Sequence, residues 1–269
     1  GFEVDFAPVD EEGFVDVEAL ADLIRPDTIL ISVMAVNNEI GSIQPIEAVS
    51  ELLADKPTIS FHVDAVQALA KIPTEKYLTE RVDFATFSSH KFHGVRGVGF
   101  VYIKSGKRIT PLLTGGGQER DYRSTTENVA GIAATAKALR LSMEKLDIFT
   151  SKTGQMKAVI RQALLDYPDI FVFSDEEGFA PHILTFGIKG VRGEVIVHAF
   201  EDYDIFISTT SACSSKAGKP AGTLIAMGVD KDKAQSAVRL SLDLANDMSQ
   251  VEQFLTKLKL IYNQTRKVR

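Results

Sequence analysis

The chain has 269 residues, of which 45% are hydrophobic and 25% are charged, and its formal net charge is −6. This length suits about two domains, and the composition is that of an ordinary soluble globular protein. The negative charge predicts no nucleic acid partner, and the longest apolar run, Ile29–Val36, is too short to cross a membrane. The single cysteine, Cys213, excludes an internal disulfide bond and favours a reducing, cytoplasmic location.

The first half of the chain alternates strand-like and helix-like segments. The predicted strands are Gly1–Phe6, Thr28–Val36, Thr58–Val63, Asp83–Ser88 and Val98–Ile103, and the predicted helices are Val17–Ile24 and Ile46–Ala54. Thr28–Val36 is apolar on both faces, which is typical of a central parallel strand. The alternation predicts an α/β domain over residues 1–145, with a mostly parallel sheet covered by helices in three layers.

The second half has a looser order of elements. Thr126–Tyr167 is helical for much of its length and is expected to pass from one domain to the next near residue 145. The predicted strands are Ile170–Phe173, Ile183–Ile188, Ile205–Thr209 and Val238–Leu242, and the predicted helices are Gly193–Tyr203, Thr223–Met227 and Met248–Arg266. This order predicts a smaller α+β domain over residues 146–269.

Three polar residues of the first half stand just past predicted strands: Asn38, Asp64 and Lys91. Parallel strands gather their carboxyl ends at one edge of a sheet, where ligands bind. A lysine held at that edge can form a Schiff base, because a desolvated amine loses its proton readily. The glycine run Gly115–Gly117, which hydroxyl-rich residues follow, suits an anion such as phosphate but matches neither the Walker A nor the dinucleotide motif.

The stretch Ser208–Gly222 consists of small and hydroxylated residues, which predicts an exposed loop. A lone cysteine is commonly a small buried hydrophobic residue. Cys213, however, has small polar neighbours, and Lys216 lies nearby in sequence, where its charge favours the thiolate. We therefore favour a functional thiol at Cys213.

Two weaker candidates concern an arginine and the histidines. Arg239 stands in an apolar, strand-like run, so it is expected to meet a carboxylate of the protein or of a ligand. His90 and His93 have the spacing HxxH, but histidines on a loop without a defined ligand set are poor evidence for a metal site. We predict no metal.

Six motifs in the chain fall in a family's order and spacing. They are NNEIG at Asn37–Gly41, HVDAVQ at His62–Gln67, SSHK at Ser88–Lys91, GGGQERDYRS at Gly115–Ser124, SACSS at Ser211–Ser215 and VRLSL at Val238–Leu242. Together they resemble the class V pyridoxal-phosphate-dependent enzymes, and most closely the NifS/IscS-like cysteine desulfurases. The resemblance runs along the whole chain, and the SACSS context resembles the NifS/IscS branch rather than the SufS-like branch.

The resemblance implies a pyridoxal 5'-phosphate site in the first half. Lys91 would hold the cofactor covalently and later move protons. Asp64 would pair with the ring nitrogen and keep it protonated, so that the ring acts as an electron sink. Gln67 and Asn38 would form hydrogen bonds around the ring hydroxyl and the substrate.

The cofactor phosphate has its own set of residues in this family. By the resemblance, Ser88 and His90 would hold the phosphate. Thr126 would reach the phosphate of the neighbouring subunit's cofactor, so a homodimer is implied as well.

The resemblance also assigns the substrate and the sulfur. Arg239 would clamp the carboxylate of L-cysteine with its two-pronged guanidinium. Cys213 would attack the substrate sulfur, take it as a persulfide and release L-alanine. The persulfide would then pass to a sulfur-acceptor protein, such as an iron–sulfur scaffold or a protein of tRNA or thiamine thiolation.

Three departures from the family pattern limit these expectations. Thr125 stands where the family usually has glycine, and so does Asp243. The family's upstream part, with its phosphate loop and the side chain that stacks on the ring, has no counterpart here, and Gly1–Phe6 looks like a strand already in progress. We therefore expect the isolated chain to be an N-terminally truncated fragment that binds the cofactor weakly or not at all.

Two other functions fit part of the pattern. A class V transaminase or a selenocysteine lyase would keep the cofactor and change the chemistry, although a transaminase needs no thiol at Cys213. A non-catalytic scaffold or sulfur-relay protein would keep the fold without the cofactor. Retention of Lys91, Asp64 and Arg239 counts against that second reading.

Overall fold

A computed structural model describes residues 1–210 and 222–267, and this part of the chain divides into two compact units. The parallel-sheet unit contains Arg25–Ala35 and Ile46–Leu146, and the antiparallel-sheet unit contains Gly1–Ile24, Val36–Pro45 and Asp147–Arg269. The C-terminal stretch of the second unit starts at Asp147, and the unit also includes two stretches of the N-terminal half. The division into domains over residues 1–145 and 146–269 stays a prediction.

The parallel-sheet unit is built on four strands. In chain order they are β1 (Leu30–Met34), β2 (Ser60–Asp64), β3 (Phe84–Ser88) and β4 (Gly99–Ile103). They lie side by side in the same order, with β1, β2 and β3 parallel and β4 antiparallel to β3. The helices of this unit include α2 (Ile46–Leu52) and α3 (Val129–Met143). The predicted mostly parallel sheet is confirmed.

The two faces of this sheet differ in chemistry because side chains alternate along each strand. One face carries the fully or nearly buried apolar residues Phe61, Val63, Ala85 and Phe87. The residues between them, of which Asp64 and Ser88 end their strands, are half-buried and mainly polar. The sheet therefore presents one apolar face and one face with polar side chains at its carboxyl edge.

The prediction of a central strand at Thr28–Val36 is wrong for the described part of the chain. β1 is shorter, lies at the edge of the four-stranded sheet and pairs there only with β2. Leu30 and Met34 are 53% and 40% exposed. An apolar run in a sequence indicates that its side chains are buried, but it does not show which elements cover them or whether the strand lies at the centre or the edge of the sheet.

A buried ion network joins β3 to the surrounding loops. The carboxylate of Asp83, 2% exposed, lies 2.8 Å from Arg81 Nη1 and 3.2 Å from Lys107 Nζ. It also accepts a hydrogen bond from Phe61 N at 2.9 Å. Burial alone would raise the pKa of Asp83, but the three hydrogen bonds outweigh it and hold this pKa below its usual value.

The antiparallel-sheet unit has four further strands. They are β5 (Ile170–Val172), β6 (Ile183–Ile188), β7 (Ser208–Thr209) and β8 (Ala237–Ser241), arranged in the order β5-β6-β8-β7. Every neighbouring pair is antiparallel. The predicted α+β character of this half agrees with the observed sheet and helices.

Six helices of the described residues accompany these strands. They are α1 (Val17–Asp22), α4 (Leu146–Leu165), α5 (Gly193–Glu201), α6 (Gly222–Ala226), α7 (Lys231–Gln235) and α8 (Met248–Lys267). Apolar side chains of α4, α5 and α8, such as Leu164, Phe200 and Leu258, share one core with β6 and β8. Over the described stretches, no helix is both long and apolar enough to cross a bilayer.

Two segments depart from the sequence prediction. Gly1–Phe6 forms no strand, and Phe2 and Phe6 are 86% and 88% exposed, so that prediction is wrong for this structure. Its alternating pattern is compatible with a strand, but no described strand pairs with it. Conversely, Lys231–Gln235 is helical because the carboxylate of Asp230 accepts hydrogen bonds from Asp232 N and Lys233 N.

Candidate active site

Asp64 ends β2 at the carboxyl edge of the parallel sheet. Its Oδ1 accepts a hydrogen bond from Val66 N at 2.9 Å, which closes a local turn directly after the strand. Gln67 is half-buried in that turn. In the sheet register Asp64 lies beside Thr86 of β3. The sequence thus predicted correctly that Asp64 lies at a strand end, and its ligand role stays a prediction.

His62 ties the three parallel strands together on the face that carries Asp64. Its Nδ1 lies 2.7 Å from Ser32 Oγ on β1, and its Nε2 lies 3.1 Å from Thr86 Oγ1 on β3. Burial lowers the pKa of His62, although the nearby Asp64 opposes this effect. A neutral imidazole has one donor and one acceptor nitrogen, which suits two hydroxyl partners. From the sequence alone, His62 was named only as the first residue of the HVDAVQ motif. Its spacing of two residues from Asp64 on a strand was the signal that the two side chains share a face.

Lys91 lies on a tight turn that follows β3. Ser89–Phe92 forms a 3-10 turn, and His93 closes it with a left-handed backbone (φ 65°). Gly94 N donates a hydrogen bond to Ser89 O at 2.9 Å. A Cβ on Gly94 would lie 1.9 Å from Ser89 Oγ, so the turn requires glycine there. Lys91 is half-buried in this turn.

Helix α3 holds the lysine turn in place through a threonine and a serine. Ser89 Oγ lies 2.9 Å from Thr135 Oγ1, and both side chains are buried. Ser142 Oγ donates a hydrogen bond to Phe92 O at 3.1 Å. The residues on both sides of Lys91 are therefore fixed to one helix. Sequence reasoning missed these contacts, because hydroxyl residues within an alanine-rich helix do not indicate their partners.

The residues predicted for the phosphate stand near the same turn in sequence. Ser88 precedes the turn as its N-cap, yet its side chain forms no capping hydrogen bond. His90 is exposed on the turn itself. Thr126 is also exposed and precedes α3, whose N-cap is Asn128. The roles of these residues toward a phosphate stay predictions.

The donor set at this edge fits pyridoxal phosphate by its chemistry. The carboxylate of Asp64 suits a protonated ring nitrogen, and the amine of Lys91 suits the aldehyde. The amide of Gln67 suits the ring hydroxyl, and the hydroxyl of Ser88 with the imidazole of His90 suits a phosphate. Asp64 and Ser88 end neighbouring parallel strands, which brings this set together along one edge.

Asn38 lies on a polar turn of the antiparallel-sheet unit. Asn37 Oδ1 accepts hydrogen bonds from Glu39 N at 2.8 Å and Ile40 N at 3.0 Å. Gly41 follows with a positive φ of 87°, and a Cβ there would lie 2.9 Å from Ile183 Cβ. The NNEIG motif is therefore a tight turn packed on β6, with Asn38 half-buried.

Arg239 of β8 contacts this turn directly. Its Nη1 donates a hydrogen bond to Asn38 O at 2.7 Å. In the sheet, Arg239 lies between Thr185 of β6 and Ser208 of β7. The two residues predicted to bind the substrate are thus in contact within one unit, although their roles stay predictions.

Thr223 of α6 is also bound to the NNEIG turn. Asn37 Nδ2 donates to Thr223 Oγ1 at 3.3 Å, and Glu39 Oε2 accepts from Thr223 N at 3.3 Å. Neither Asn37, Glu39 nor Thr223 was singled out from the sequence. Cys213, the predicted nucleophile, lies outside the described residues.

A metal site finds no support in the described ranges. Across residues 1–210 and 222–267, no group of three or more histidine, cysteine, aspartate or glutamate side chains could hold a metal ion.

Comparison with known proteins gives a consistent result. The family profile described as Aminotransferase class-V matches residues 1–254. A protein of Lactobacillus delbrueckii subsp. bulgaricus, named NifS/IcsS protein homolog, is 49% identical over 269 residues, which are 100% of this chain and 70% of that protein. The cysteine desulfurase IscS of Clostridium botulinum is 38% identical over 271 residues, covering 100% of this chain and 68% of its own length.

Solved structures agree with the sequence comparison. A NifS-like protein superposes with a TM-score of 0.89 at 38% identity, over 98% of this chain and 69% of that protein. A NifS-like protein from Rickettsia africae superposes with a TM-score of 0.84 at 28% identity, over 96% of this chain and 69% of its own.

Proposed function

The chain belongs to the class-V aminotransferase family, and on that premise we propose that it is a pyridoxal-phosphate-dependent cysteine desulfurase. It would convert L-cysteine to L-alanine and receive the sulfur on Cys213. The observation that carries this proposal is the place of Asp64 and Lys91 at the carboxyl ends of two neighbouring parallel strands, β2 and β3. The similarity to proteins named NifS and cysteine desulfurase supports it.

The residues of the parallel-sheet unit would hold the cofactor and move one proton. When bound, pyridoxal phosphate supplies an electron sink that weakens the bonds at the α-carbon of an amino acid. Asp64 would balance the positive charge of the ring nitrogen, while Ser88 and His90 would bind the phosphate. Lys91 Nζ would take the proton from the substrate's α-carbon, because its amine is within a strand-end turn that α3 holds in place.

Arg239, Asn38 and Cys213 would act on the substrate itself. Arg239 and Asn38 would bind and orient L-cysteine through its carboxylate and amine. The Sγ thiolate of Cys213 would then form a bond to the substrate sulfur as the carbon–sulfur bond breaks. The electron pair of that bond, with a proton, would end on the carbon that becomes the methyl group of alanine. The products are alanine and a persulfide on Cys213, so the exchange needs no external oxidant or reductant.

We further propose how the product is used. The persulfide would pass to a sulfur-acceptor protein in the cytoplasm, either an iron–sulfur scaffold or a protein of tRNA or thiamine thiolation.

The protein would act as a homodimer, in which Thr126 reaches the neighbouring cofactor phosphate. Val129, close after Thr126 in sequence, is 72% exposed, and Leu112, further upstream, is 97% exposed; apolar side chains this exposed support a surface that a second subunit would cover. Light scattering after size exclusion measures the oligomeric state.

The activity is tested on full-length protein with added pyridoxal phosphate, L-cysteine and a thiol reductant, which reduces the persulfide and releases its outer sulfur as sulfide. We expect alanine and sulfide in equal amounts, with both reduced to background in Cys213→Ala and in Lys91→Ala. Unchanged alanine release by Cys213→Ala would contradict the desulfurase mechanism. Release of a keto acid would indicate a transaminase, and activity restricted to selenocysteine would indicate a selenocysteine lyase.

A further inference from the structure

The NNEIG turn is hydrogen-bonded to Thr223, which follows the chain segment that contains Cys213. We propose that Asn37 and Glu39 are positioning residues for sulfur transfer. They hold Thr223 in place. Thr223 follows the stretch that contains Cys213, and the turn that holds it also carries Asn38, which is hydrogen-bonded to Arg239. The inference rests on the proposed function, because it concerns the delivery of the thiol to the substrate.

Two hydrogen bonds define this anchor, and they use different groups of Thr223. The side-chain amide of Asn37 donates to the hydroxyl of Thr223, and the carboxylate of Glu39 accepts from its backbone N–H, both at 3.3 Å. Asn37 and Glu39 are 6% and 9% exposed, and Thr223 is half-buried, so both bonds are partly shielded from water. Hydrogen bonds to a charged group and in a shielded place are stronger than surface ones. The start of α6 is thus fixed in direction as well as in place.

The anchoring turn is itself held from three sides. Asn37 Oδ1 accepts two backbone N–H groups of its own turn, from Glu39 and Ile40. Thr185 Oγ1 donates to Glu39 O at 2.6 Å, and Arg239 Nη1 donates to Asn38 O at 2.7 Å. The turn is therefore fixed to β6 and β8 independently of α6. A rigid turn is a suitable fixed point for positioning another segment.

Apolar packing holds α6 in place but does not orient its first residue. Leu224 of α6 and Ile40 of the turn are both 0% exposed and belong to one core cluster with Met227. Burial of apolar surface stabilises a contact without regard to direction. The two bonds to Thr223 supply the direction.

The other end of the same stretch is attached to Arg239. Ser208 and Thr209 form β7 and pair with Arg239 and Val238 of β8. Thr210, the last described residue before the gap, is 5% exposed. The described residues before the stretch that contains Cys213 are therefore attached to Arg239 through β7. The described residues after it are attached, through Thr223, to Asn37 and Glu39, which stand on either side of Asn38 in sequence.

The anchor is tested with a pair of substitutions at Glu39 in the full-length protein. Glu39→Ala removes the acceptor for Thr223 N, whereas Glu39→Gln keeps an oxygen in the same place. Hydrogen–deuterium exchange of the Thr223 amide should be about tenfold faster in Glu39→Ala and within about twofold of the parent in Glu39→Gln. Glu252→Ala, on the exposed side of α8, is the matched loss of a carboxylate and should change nothing.

Comparing the changes in kcat and KM distinguishes a role of Glu39 in positioning from a role in stability alone. With pyridoxal phosphate and L-cysteine, Glu39→Ala should lower kcat for alanine release about tenfold and leave KM for cysteine within about twofold. Glu39→Gln should restore most of kcat. Thr223→Val, which removes only the hydroxyl that Asn37 binds, should lower kcat by a smaller factor in the same direction.

Three results would overturn the inference. They are an unchanged exchange rate of Thr223 in Glu39→Ala, faster exchange across the whole unit with an equal fall in melting temperature, and a fall in kcat that Glu39→Gln does not reverse. Absence of alanine formation by the parent protein would instead overturn the proposed function. In that event the exchange comparison alone still decides whether Glu39 anchors Thr223.

Discussion

Arg239 Nη1 donates a hydrogen bond to the backbone carbonyl of Asn38 at 2.7 Å, although 201 positions separate the two residues in the chain. The bond joins β8 to the tip of the NNEIG turn. Because a guanidinium offers five N–H donors in a fixed plane, this bond orients the plane before any substrate carboxylate arrives. Arg239, which is predicted to bind the substrate carboxylate, is thus held in place by the backbone carbonyl of Asn38, which is predicted to bind the same substrate.

Arg239→Lys should impair substrate binding more than cofactor binding. Lysine keeps the charge but lacks the planar fork that binds a carboxylate through two parallel hydrogen bonds. We expect KM for L-cysteine to rise at least about tenfold, which corresponds to about 1.4 kcal/mol. The half-saturating concentration of pyridoxal phosphate should stay within about twofold, as measured by absorbance titration.

The matched control for this change is Arg192→Lys, at an arginine whose side chain is 63% exposed. It should leave KM unaltered. A value of KM for Arg239→Lys equal to that of the parent would show that Arg239 does not bind the substrate carboxylate.

Thr135→Val should loosen the turn that carries Lys91. The substitution keeps the shape of the side chain and removes the hydroxyl that meets Ser89 Oγ, which leaves a buried polar group without that partner. We expect the free energy of unfolding to fall by about 1–2 kcal/mol. The pyridoxal phosphate concentration needed for half-maximal borohydride labelling of Lys91 should rise.

Thr153→Val is a close control for this experiment. Thr153 is likewise buried in a helix and donates to the carbonyl four residues earlier, as Thr135 does. It lies on α4, in the other unit. Equal changes in Lys91 labelling for the two variants would exclude a specific role of the contact between Thr135 and Ser89.

Asp83→Asn should destabilise the parallel-sheet unit strongly at neutral pH. The change leaves the partly buried Arg81 and Lys107 without the carboxylate that they share, and breaking such a pair costs about 3–5 kcal/mol. Because the pKa of Asp83 in the folded protein lies below its unfolded value of 3.8, the contribution is complete above that value and is lost as pH falls through the folded pKa. Urea unfolding between pH 2 and pH 7 measures both effects.

Asp27→Asn tests whether the effect depends on burial. Asp27 pairs with Arg25 at 3.3 Å, but its side chain is 77% exposed. We expect a change of less than about 1 kcal/mol. A similar loss in both variants would mean that the Asp83 network behaves as a surface ion pair.

In the parent protein, the free energy of unfolding should rise at alkaline pH because of Lys157, and Lys157→Met should abolish this rise. Lys157 is 3% exposed and donates to Ala180 O at 3.1 Å, and burial lowers its pKa from 10.5 to about 8. Between these two values the unfolded chain binds more protons than the folded one, so stability increases with pH in that window. The shift corresponds to about 3 kcal/mol between pH 7 and pH 11.

Urea unfolding of Lys157→Met at several pH values should show this increment missing relative to the parent. Lys233, on the surface helix α7, is the control for loss of a lysine, and Lys233→Met should keep the alkaline rise. A parent protein whose stability does not rise between pH 8 and pH 10.5 would contradict a neutral, buried Lys157.

The sequence predicted elements well where the period of apolar residues was clear. Ile183–Ile188 has the predicted bounds, and the helix predicted at Met248–Arg266 differs by one residue. Prediction failed where burial depends on the surroundings. Gly1–Phe6 alternates as a strand does but finds no described strand to pair with, and β1 is apolar on both faces yet stands at an edge.

The positions of some candidate site residues, though not their roles, could be predicted from the sequence for a similar reason. Residues just past strands, such as Asp64 and Lys91, can be located because the ends of parallel strands gather at one edge. Contacts between distant segments, such as Ser89 with Thr135 or Glu39 with Thr223, depend on which side chains the fold brings together. No local pattern in either partner encodes such a pairing.

The imidazole of His62 has a thermodynamic consequence for any ligand at the sheet edge. Since Ser32 and Thr86 hold both ring nitrogens, the side chains beside Asp64 have lost their rotational freedom before binding. A ligand then gains its contacts without a further entropy loss from ordering this face. We therefore expect the entropy of binding to become less favourable in His62→Ala, while the enthalpy of the Asp64 contact changes little, as calorimetry would measure.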